Sequence, residues 1–570
     1  MMRAELHRSP RQHRLGKQRQ HEEDDPVRTK FGAWKPLTAL ASAILLAASV
    51  AGCGSSSKSD DREPPPAPRM GNYQGTDEGS MLAFRGIRYA KPPVGELRFA
   101  PPQPVEKPTG IVVADKFGSA CPQYQSAFGP ESLEEDCLFL NVYVPKAGEG
   151  PFPVMVWIHG GAFVAGSGGP EYDPSRLVAQ GVVVVAINYR LGPLGFLAHP
   201  DLTNEQGGGS GNYGLMDQQL ALRWVQDNIS TFGGDPNNVT IFGESAGGLS
   251  VLSHVVSPKA QGLFQRAIVQ SGSYDAISRT LAEAEQAGQD FVAAVGCDSA
   301  GDIPQCLREL DVKTILDNGD AIVAGLSLTP HLHPDLLPKS INQALQEGKV
   351  NVNSILLGSN RDEFTLFIAL EELNGTPPME EDDVEDQWSK FFDPLTSIVS
   401  TYYPATDFEN PSRRFAAPLG DSVFSCTALR QAEQLGSTIP VYVYEFADRD
   451  APSILPKVSF DLGAAHAFEI QYVLGSEQAL RARGANDSQI ALSNAMVQYW
   501  TAFARTGDPN QGEAEAIWPE FGSNNGNIRW LNPAEPEKTV ITSAEFEADH
   551  RCEIWDKIIF QALKQDPQKS

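Results

Sequence analysis

The chain has 570 residues, of which 41% are hydrophobic and 9% aromatic, and its formal net charge at pH 7 is −27. This apolar content can bury a substantial core, so the composition excludes a mainly disordered protein. The strong negative charge argues against proteins that bind nucleic acid or anionic membrane surfaces through charge. The length alone allows several domains, or one large domain with long insertions.

The first part of the chain has the pattern of an export signal. A polar, mostly basic stretch runs to Lys35 and is followed by the apolar run LTALASAILLAASVAG at residues 37–52. This run is too short to cross a bilayer comfortably, and it ends in small residues, as secretory signals do. The tetrapeptide VAGC at residues 50–53 resembles a bacterial lipobox, in which the leader is cut before a cysteine that carries lipid. We therefore expect residues 1–52 to be removed and Cys53 to be lipidated, with a plain secretory signal as the alternative.

The next segment is rich in serine, glycine and proline, reading GSSSKSDDREPPPAPRM from Gly54 to Met70. Such a composition has little apolar surface to bury and predicts a flexible tether, which we place at residues 53–72. The remaining residues, 73–570, are expected to form a single domain.

Two continuous apolar runs indicate strands that are buried on both faces. They are PVMVWI at residues 153–158 and VVVVAI at residues 182–187, and such runs are typical of parallel sheets. Between residues 212 and 229 the apolar positions Leu215, Leu222, Val225 and Ile229 recur at helical spacing. Strands alternating with such a helix predict an α/β fold with a mostly parallel sheet.

The segment FGGDPNNVTIFGESAGG at residues 232–248 combines a strand with an unusually tight turn. Val239–Phe242 is a β-branched and aromatic run, and Gly-Glu-Ser-Ala-Gly follows it without room for an ordinary loop. A serine in such a turn needs small neighbours because its backbone is strained and the flanking chains come close together. The turn would expose the Ser245 hydroxyl at a helix N-terminus, where the Ala246 N–H points at a developing oxyanion. A chance pentapeptide in a glycine-rich loop remains the alternative from these residues alone.

Three segments together resemble one family. The run at residues 232–248 is similar to the nucleophile signature of the type B carboxylesterase and cholinesterase family, and EDCLFLNVYVP at residues 135–145 to its second signature. MLAFRGIRYAKPPVGELRFAPP at residues 81–102 matches the family's opening strand and proline-rich turn. The resemblance extends from about Met81 to Trp555. It implies an α/β-hydrolase fold, in which helices flank a central, mostly parallel, twisted sheet and long insertions cover the active site.

The resemblance also implies a catalytic triad. A serine hydroxyl needs a histidine to take its proton and a carboxylate to orient that histidine, and α/β-hydrolases carry them in the order Ser, acid, His. His466, in LGAAHAFE at residues 462–469, matches the family's histidine loop, although Ala467 replaces the usual glycine. In ILLGSNRDEF at residues 355–364 the motif places the acid at Glu363, with Asp362 as the neighbouring alternative.

The small-residue loop HGGAF at residues 159–163 aligns with the family's oxyanion loop. Residue-by-residue alignment gives the N–H groups of Gly161 and Ala162 as oxyanion donors, with Ala246 as the third. Many relatives have glycine at the position of Ala162, and we expect its methyl to be tolerated if φ stays negative. Glu244 and Ser271 are expected to support the triad from behind, or else to be purely structural.

The chain has seven cysteines, which in an exported protein predict disulfides plus one free residue. Six cysteines allow fifteen pairings, and the spacing does not choose between them. The resemblance implies the pairs Cys121–Cys137, Cys297–Cys306 and Cys426–Cys552, which leaves Cys53 for lipid. A zinc site is the alternative, but the sequence has no Cys-x-x-Cys spacing.

Two further features have structural and metal-binding alternatives. The acidic segment at residues 371–386 is expected to be a solvated helix start in a lid or insertion. Calcium binding is the alternative, although the segment lacks the spacing of an EF-hand. His331 and His333 could form a metal pair on a strand, but no third ligand is evident.

The expected activity is hydrolysis of small-molecule carboxylic esters through an acyl-enzyme, without a cofactor or metal ion. A cholinesterase in the strict sense is less expected, because the segment between Cys121 and Cys137 lacks a tryptophan for cation–π binding and has only Tyr124 and Phe128. The alternatives are a lipase and a non-catalytic surface-binding protein. We expect an exported protein that contacts a membrane only through the lipid on Cys53, or a secreted soluble one, and no nucleic-acid partner.

Overall fold

A computed structural model describes residues 67–274, 278–323, 329–512, 514, 516–522 and 526–565. The expected leader, the lipidation site Cys53 and most of the expected tether lie outside these residues. The first strand begins at Arg69, inside the range 53–72 predicted to be a tether.

The strands are β1 (Arg69–Met70), β2 (Tyr73–Gln74), β3 (Thr76–Asp77), β4 (Met81–Arg88), β5 (Val112–Val113), β6 (Phe139–Pro145), β7 (Phe152–Ile158), β8 (Val183–Ile187), β9 (Gly234–Glu244), β10 (Arg266–Gln270), β11 (Ser354–Asn360), β12 (Val441–Phe446), β13 (Asn527–Leu531) and β14 (Val540–Thr542).

The α-helices are α1 (Ser175–Ala179), α2 (Gly192–Phe196), α3 (Pro200–Glu205), α4 (Tyr213–Asn228), α5 (Ala246–Val256), α6 (Leu281–Ala294), α7 (Ile303–Glu309), α8 (Val312–Val323), α9 (Ile341–Gln346), α10 (Thr365–Leu373), α11 (Val384–Phe392), α12 (Thr396–Tyr402), α13 (Pro411–Gly420), α14 (Cys426–Gly436), α15 (Ile470–Val473), α16 (Glu477–Ala482), α17 (Asp487–Thr506), α18 (Ser543–Asp549) and α19 (Cys552–Gln565). Short 3-10 turns occupy Gly95–Leu97, Ile229–Phe232, Pro258–Ala260, Glu381–Asp383 and Ala405–Asp407, and a π-helical turn occupies Asp421–Ser425.

The large sheet has 11 strands in the order β14-β13-β12-β11-β10-β9-β7-β8-β6-β4-β3. Its middle, from β13 to β8, is entirely parallel, whereas β14 at one edge and β6, β4 and β3 at the other are antiparallel. A separate small sheet has the order β1-β2-β5. This architecture confirms the predicted α/β-hydrolase fold.

The buried apolar runs form the centre of the parallel region, as predicted. All residues of β8, β11 and β12 are buried, and so are the last five residues of β7. Strands covered on both faces by helices bury every side chain, which is why these segments show no alternation of apolar and polar residues.

The predicted helix at residues 212–229 is α4, whose apolar positions Leu215, Leu222 and Val225 are fully buried. Asn212, the residue before it, has φ +53, a left-handed conformation that asparagine tolerates better than most residues. The acidic segment also forms the expected solvated helix start, since exposed Glu381–Asp383 leads into α11, which buries Trp388.

Three disulfides close the pairs that the family resemblance implies. Cys121–Cys137 and Cys297–Cys306 close local loops, and Cys426–Cys552 joins α14 to α19 across 126 residues of sequence. In the part of the chain that the structure describes, no helix combines the length and apolar character that a membrane span needs.

Candidate active site

The tight turn after β9 is built as the sequence predicts. β9 ends at Glu244, α5 begins at Ala246, and Ser245 between them has φ +55 and ψ −121. A Cβ on Gly243 would lie 2.6 Å from the Ile158 carbonyl oxygen, and one on Gly247 only 2.0 Å from that same oxygen. Both glycines are therefore required, because the end of β7 passes directly against the turn.

A backbone hydrogen bond fixes the turn on the side of β10, which flanks β9 opposite to β7. The Ser245 N–H donates to the Gln270 carbonyl at the end of β10, at 2.9 Å. The Ser245 side chain is half-buried at the top of the sheet. A strained serine held by the strands on both sides presents its hydroxyl in one direction.

His466 lies in the loop that follows β12, and Glu363 in the turn that follows β11. The His466 Nδ1 is 2.6 Å from Glu363 Oε2, and the other oxygen of Glu363 accepts the Asn360 N–H at 2.7 Å. Both side chains are buried. A carboxylate in this position selects the tautomer with hydrogen on Nδ1 and leaves Nε2 free to accept a proton.

Asp362, the alternative acid, turns away from His466. Its carboxylate lies 2.8 Å from both Arg413 and Arg449 and accepts the Ala464 N–H at 3.0 Å. The structure thus brings Glu363, and not Asp362, against the histidine. Phe364, the residue after Glu363, has φ −79, so its backbone conformation does not require glycine.

The second nitrogen of His466 faces Glu244. Nε2 lies 3.1 Å from Glu244 Oε1, which is ion-pair distance, but the two atoms do not have hydrogen-bond geometry. Because Nε2 is buried without a hydrogen-bond partner among the described residues, it makes no hydrogen bond with Ser245 Oγ in this structure. Contacts of this kind often tighten only when substrate is bound.

The buried charges around His466 shift each other's pKa. Burial lowers the pKa of His466, but the negative charges of Glu244 and Glu363 outweigh it and raise the pKa to about 9. Burial raises the pKa of Glu244 to about 8, although the nearby His466 opposes the shift. Burial likewise raises the pKa of Glu469, against hydrogen bonds from Asn360 and Gln270.

The loop after β7 lies directly over the serine. A Cβ on Gly160 would be 2.7 Å from the Glu244 carbonyl oxygen and 3.2 Å from Ser245 Cβ. No described residue accepts a hydrogen bond from the N–H groups of Gly161, Ala162 or Ala246. Three unpaired N–H groups close to a nucleophile are the arrangement that stabilises an oxyanion.

The condition for an unstrained methyl at Ala162, a negative φ, is not met. Ala162 has φ +54 and Phe163 has φ +62, both left-handed, and Gly161 before them has φ +102. Ala467, which replaces the usual glycine after His466, also has a left-handed φ of +67. These values explain why glycine suits both positions, because a Cβ makes the left-handed conformation unfavourable.

His159 orients the oxyanion loop. Its ring stacks on Tyr189 with centroids 4.4 Å apart, and its Nδ1 lies 2.9 Å from the Gly160 carbonyl oxygen. Burial lowers the pKa of His159 to about 4, so the ring is neutral at neutral pH. A neutral, stacked ring fixes the loop and carries no charge into the site.

The two residues expected behind the triad differ in what they contact. Glu244 reaches His466 as described above. Ser271 has φ +46, and its Oγ is buried without a hydrogen-bond partner among the described residues, so it makes no hydrogen bond with the triad. His331 and His333 are both buried, and within the described residues no group of three or more His, Cys, Asp or Glu is placed to hold a metal ion.

A polar network behind His466 was not anticipated from the sequence. Glu469 is fully buried and accepts hydrogen bonds from Asn360 at 2.6 Å and from Gln270 at 3.0 Å. Gln270 in turn accepts the Trp500 indole N–H at 3.0 Å. The acidic residue that ends the histidine-loop motif was the available signal for Glu469, whereas nothing in the sequence pointed to Gln270 or Trp500.

Comparison with known proteins gives one consistent picture. The model of the carboxylesterase family matches residues 69–555. The chain is 36% identical over 473 residues to a para-nitrobenzyl esterase of Bacillus subtilis, covering 80% of this chain and 91% of that protein. It is 33% identical over 518 residues to a cholinesterase of Mus musculus, covering 84% and 83%. A solved structure of a PNB esterase superposes with a TM-score of 0.70 at 32% identity, covering 85% of this chain and 99% of the other.

Proposed function

We propose that Ser245 is the nucleophile of this enzyme. The chain belongs to the carboxylesterase family and is a serine hydrolase of carboxylic esters. In this proposal His466 is the general base and Glu363 orients it, while Gly161, Ala162 and Ala246 donate to the oxyanion. The observation that carries the assignment is the buried contact of 2.6 Å between His466 Nδ1 and Glu363 Oε2, which leaves Nε2 unpaired beside the turn.

The reaction follows from these positions. Ser245 Oγ attacks the ester carbonyl and gives its proton to His466 Nε2, and the carbonyl oxygen becomes an oxyanion held by the three N–H groups. When the tetrahedral intermediate collapses, the bond to the alcohol breaks and His466 returns the proton to the leaving oxygen. Water, deprotonated by His466, then attacks the acyl-enzyme and releases the acid by the same route.

The substrate class is small-molecule carboxylic esters, and we propose a general esterase and not a choline esterase. Tyr124, an aromatic residue of the first disulfide loop, is engaged by the protein itself. Its hydroxyl donates to Asp317, and the Lys313 ammonium lies 5.7 Å from the ring centroid. A ring that already faces an ammonium of its own chain is a poor site for a second cation.

The first experiment is hydrolysis of a series of p-nitrophenyl esters of increasing acyl length by the mature, disulfide-intact protein and by Ser245→Ala. Ser253→Ala is the matched control, because Ser253 lies on α5, the helix that follows Ser245, and its hydroxyl donates to the Leu249 carbonyl at 2.8 Å. We expect turnover in the wild type and the control and none above background in Ser245→Ala. Full turnover by Ser245→Ala would refute the assignment, and the optimum of the series would measure the acyl pocket.

We also propose that the protein is exported and anchored by lipid on Cys53, as a single hydrolase domain at residues 73–570 behind a leader and a tether. The leader pattern and the VAGC sequence support this, and three disulfides are typical of proteins outside the cytoplasm. Metabolic labelling of the full chain with palmitate should mark the wild type and leave Cys53→Ser unlabelled. A wild type without label would contradict the anchor and favour the secreted soluble form.

A further inference from the structure

Asp362 is a largely buried carboxylate held between two arginines. Its side chain is 9% exposed, and Arg449 grips it with two hydrogen bonds, from Nη2 to Oδ1 at 2.8 Å and from Nε to Oδ2 at 2.9 Å. Arg413 Nη2 donates to Oδ1 at 2.8 Å. Charge-assisted hydrogen bonds with this geometry fix a side chain in one orientation.

The same residue is bound to the loop that carries His466. The Asp362 N–H donates to the Ala464 carbonyl at 3.0 Å, and Asp362 Oδ2 accepts the Ala464 N–H at 3.0 Å. Gly463 packs so closely that a Cβ there would lie 2.4 Å from Asp362 Oδ2. Asp362 therefore contacts the turn immediately before the histidine through both its backbone and its side chain.

Consecutive residues of the turn after β11 thus bind alternate residues of the loop that carries His466. Asp362 binds Ala464, and Glu363 binds His466, both through Oε2 and through its carbonyl, which accepts the His466 N–H at 3.3 Å. Thr365 adds a third link, since its hydroxyl lies 2.8 Å from the Leu462 carbonyl. A displacement of the turn at Ala464 would be passed to the His466–Glu363 contact two residues later.

The charge on Asp362 is stable in this setting. Burial raises the pKa of Asp362, but the positive charges of Arg449 and Arg413 outweigh it, and the pKa lies below its ordinary value. The carboxylate is thus ionised wherever the enzyme is folded near neutral pH.

We propose that Asp362, fixed by Arg413 and Arg449, is a positioning residue for the ester hydrolysis. It holds the turn at Gly463 and Ala464 so that His466 stays aligned with Glu363 and Ser245. This inference rests on the proposed roles of Ser245, Glu363 and His466.

Arg449 can be replaced without disturbing a packed core. The residues of this ion-pair cluster line an open cavity of about 510 Å³, which Glu363 also lines. Arg449 has a side chain that is 51% exposed, so replacing it leaves no void in a packed core. Asp549 lines the same cavity and pairs with Arg361 at 2.9 Å, and it is not among the residues that bind the His466 loop.

The test compares Asp362→Asn and Arg449→Gln with the matched control Asp549→Asn. Each variant is checked for its melting temperature, and kcat and KM are measured with a p-nitrophenyl ester per titrated active site. Misplacing a reacting group by about 1 Å can cost about 100-fold in rate, so we expect kcat to fall about 10- to 100-fold in Asp362→Asn. Arg449→Gln should lose less, KM should change little in both, and Asp549→Asn should match the wild type.

The pH profile separates positioning from a direct effect of charge. The carboxylates that face His466 are Glu244, Glu363 and Glu469, and contact with Glu363 raises the pKa of His466. If the loop shifts, that contact weakens, and the acid limb of kcat/KM should move to lower pH in both Asp362→Asn and Arg449→Gln. These two substitutions change the net charge in opposite directions. A direct effect of charge on the pKa of His466 would therefore move the acid limbs of the two variants in opposite directions.

The outcomes are distinct. The positioning role would be overturned if the acid limbs of the two variants move in opposite directions. It would also be overturned if kcat is unchanged in folded Asp362→Asn and Arg449→Gln. If Asp362→Asn does not fold, Arg449→Gln decides the question alone. Turnover that persists in Ser245→Ala would instead overturn the proposed function itself, whatever Asp362→Asn does.

Discussion

Gln123 and Gly166 exchange two hydrogen bonds and so join the first disulfide loop to the loop that follows β7. Gln123 Nε2 donates to the Gly166 carbonyl at 2.8 Å, and the Gly166 N–H donates to Gln123 Oε1 at 2.8 Å. Gln123 lies in the loop closed by Cys121–Cys137, and Gly166 follows the turn in which the Gly161 carbonyl accepts the Ala165 N–H at 3.0 Å. The first disulfide loop is thus fastened to the oxyanion loop through one buried amide.

Replacing this amide should loosen the oxyanion loop. Gln123→Ala leaves the N–H and carbonyl of Gly166 without their partners in a buried site, and we expect the free energy of unfolding to fall by about 2 kcal/mol. We expect kcat to fall about tenfold, less than the roughly 100-fold or more that loss of a whole oxyanion donor costs. Denaturation by urea and steady-state kinetics measure the two effects. The exposed neighbour Gln125→Ala is the control, and equal effects of both substitutions would contradict this role of Gln123.

Glu244 should set the acid limb of the pH profile. The general base must be neutral, and the charges of Glu244 and Glu363 raise the pKa of His466 to about 9 against the effect of burial. Activity should therefore fall as the pH drops through a value above 6.5, the ordinary pKa of histidine. Glu244→Gln removes one of these charges, so the limb in kcat/KM should move to lower pH. Glu131→Gln, at an exposed position, should leave it in place. If the acid limb of kcat/KM does not move in Glu244→Gln, the Glu244 carboxylate does not raise the pKa of His466.

The turn at Ser245 should not accept a methyl group at its second glycine. In Gly247→Ala the new Cβ would meet the Ile158 carbonyl oxygen at 2.0 Å, and backbone must move to make room. We expect the free energy of unfolding to drop by about 3 kcal/mol and ester hydrolysis to be lost with it. Thermal denaturation measures the change in the free energy of unfolding. Gly110→Ala, where a Cβ meets nothing within 4 Å, should be nearly neutral, and a neutral Gly247→Ala would contradict the geometry of the turn.

Replacing the alanine after His466 by glycine should stabilise the protein. Ala467 has φ +67, where a Cβ costs about 1–2 kcal/mol, and glycine gives back part of this through a freer unfolded chain. We expect Ala467→Gly to raise the free energy of unfolding by about 1 kcal/mol, measured by urea denaturation. Ala465→Gly, where φ is not left-handed, should lower it. Destabilisation of similar size in both variants would show that Ala467 is not strained.

Much of the fold could be predicted because its signals are local. Runs without polar residues predict the buried strands at residues 153–158 and 182–187, and the spacing of leucine and valine predicts α4. The two glycines around Ser245 are likewise a local requirement of a tight turn. The sign of φ at Ala162 was not predictable, because it depends on how the whole loop from Gly160 to Gly166 folds over Glu244.

The sequence by itself determined the order of the strands and helices, the strained serine turn and, through its family motifs, which residues to examine as acid and base. Only the tertiary structure decided that Glu363 meets His466 while Asp362 meets two arginines, and that Glu244 faces the free nitrogen. The physical reason is the range of these contacts. His466 and Glu363 are 103 residues apart, and adjacent carboxylates can reach either side of a turn. Periodicity and propensity describe neighbours along the chain, whereas the direction of a side chain is settled by what packs against it.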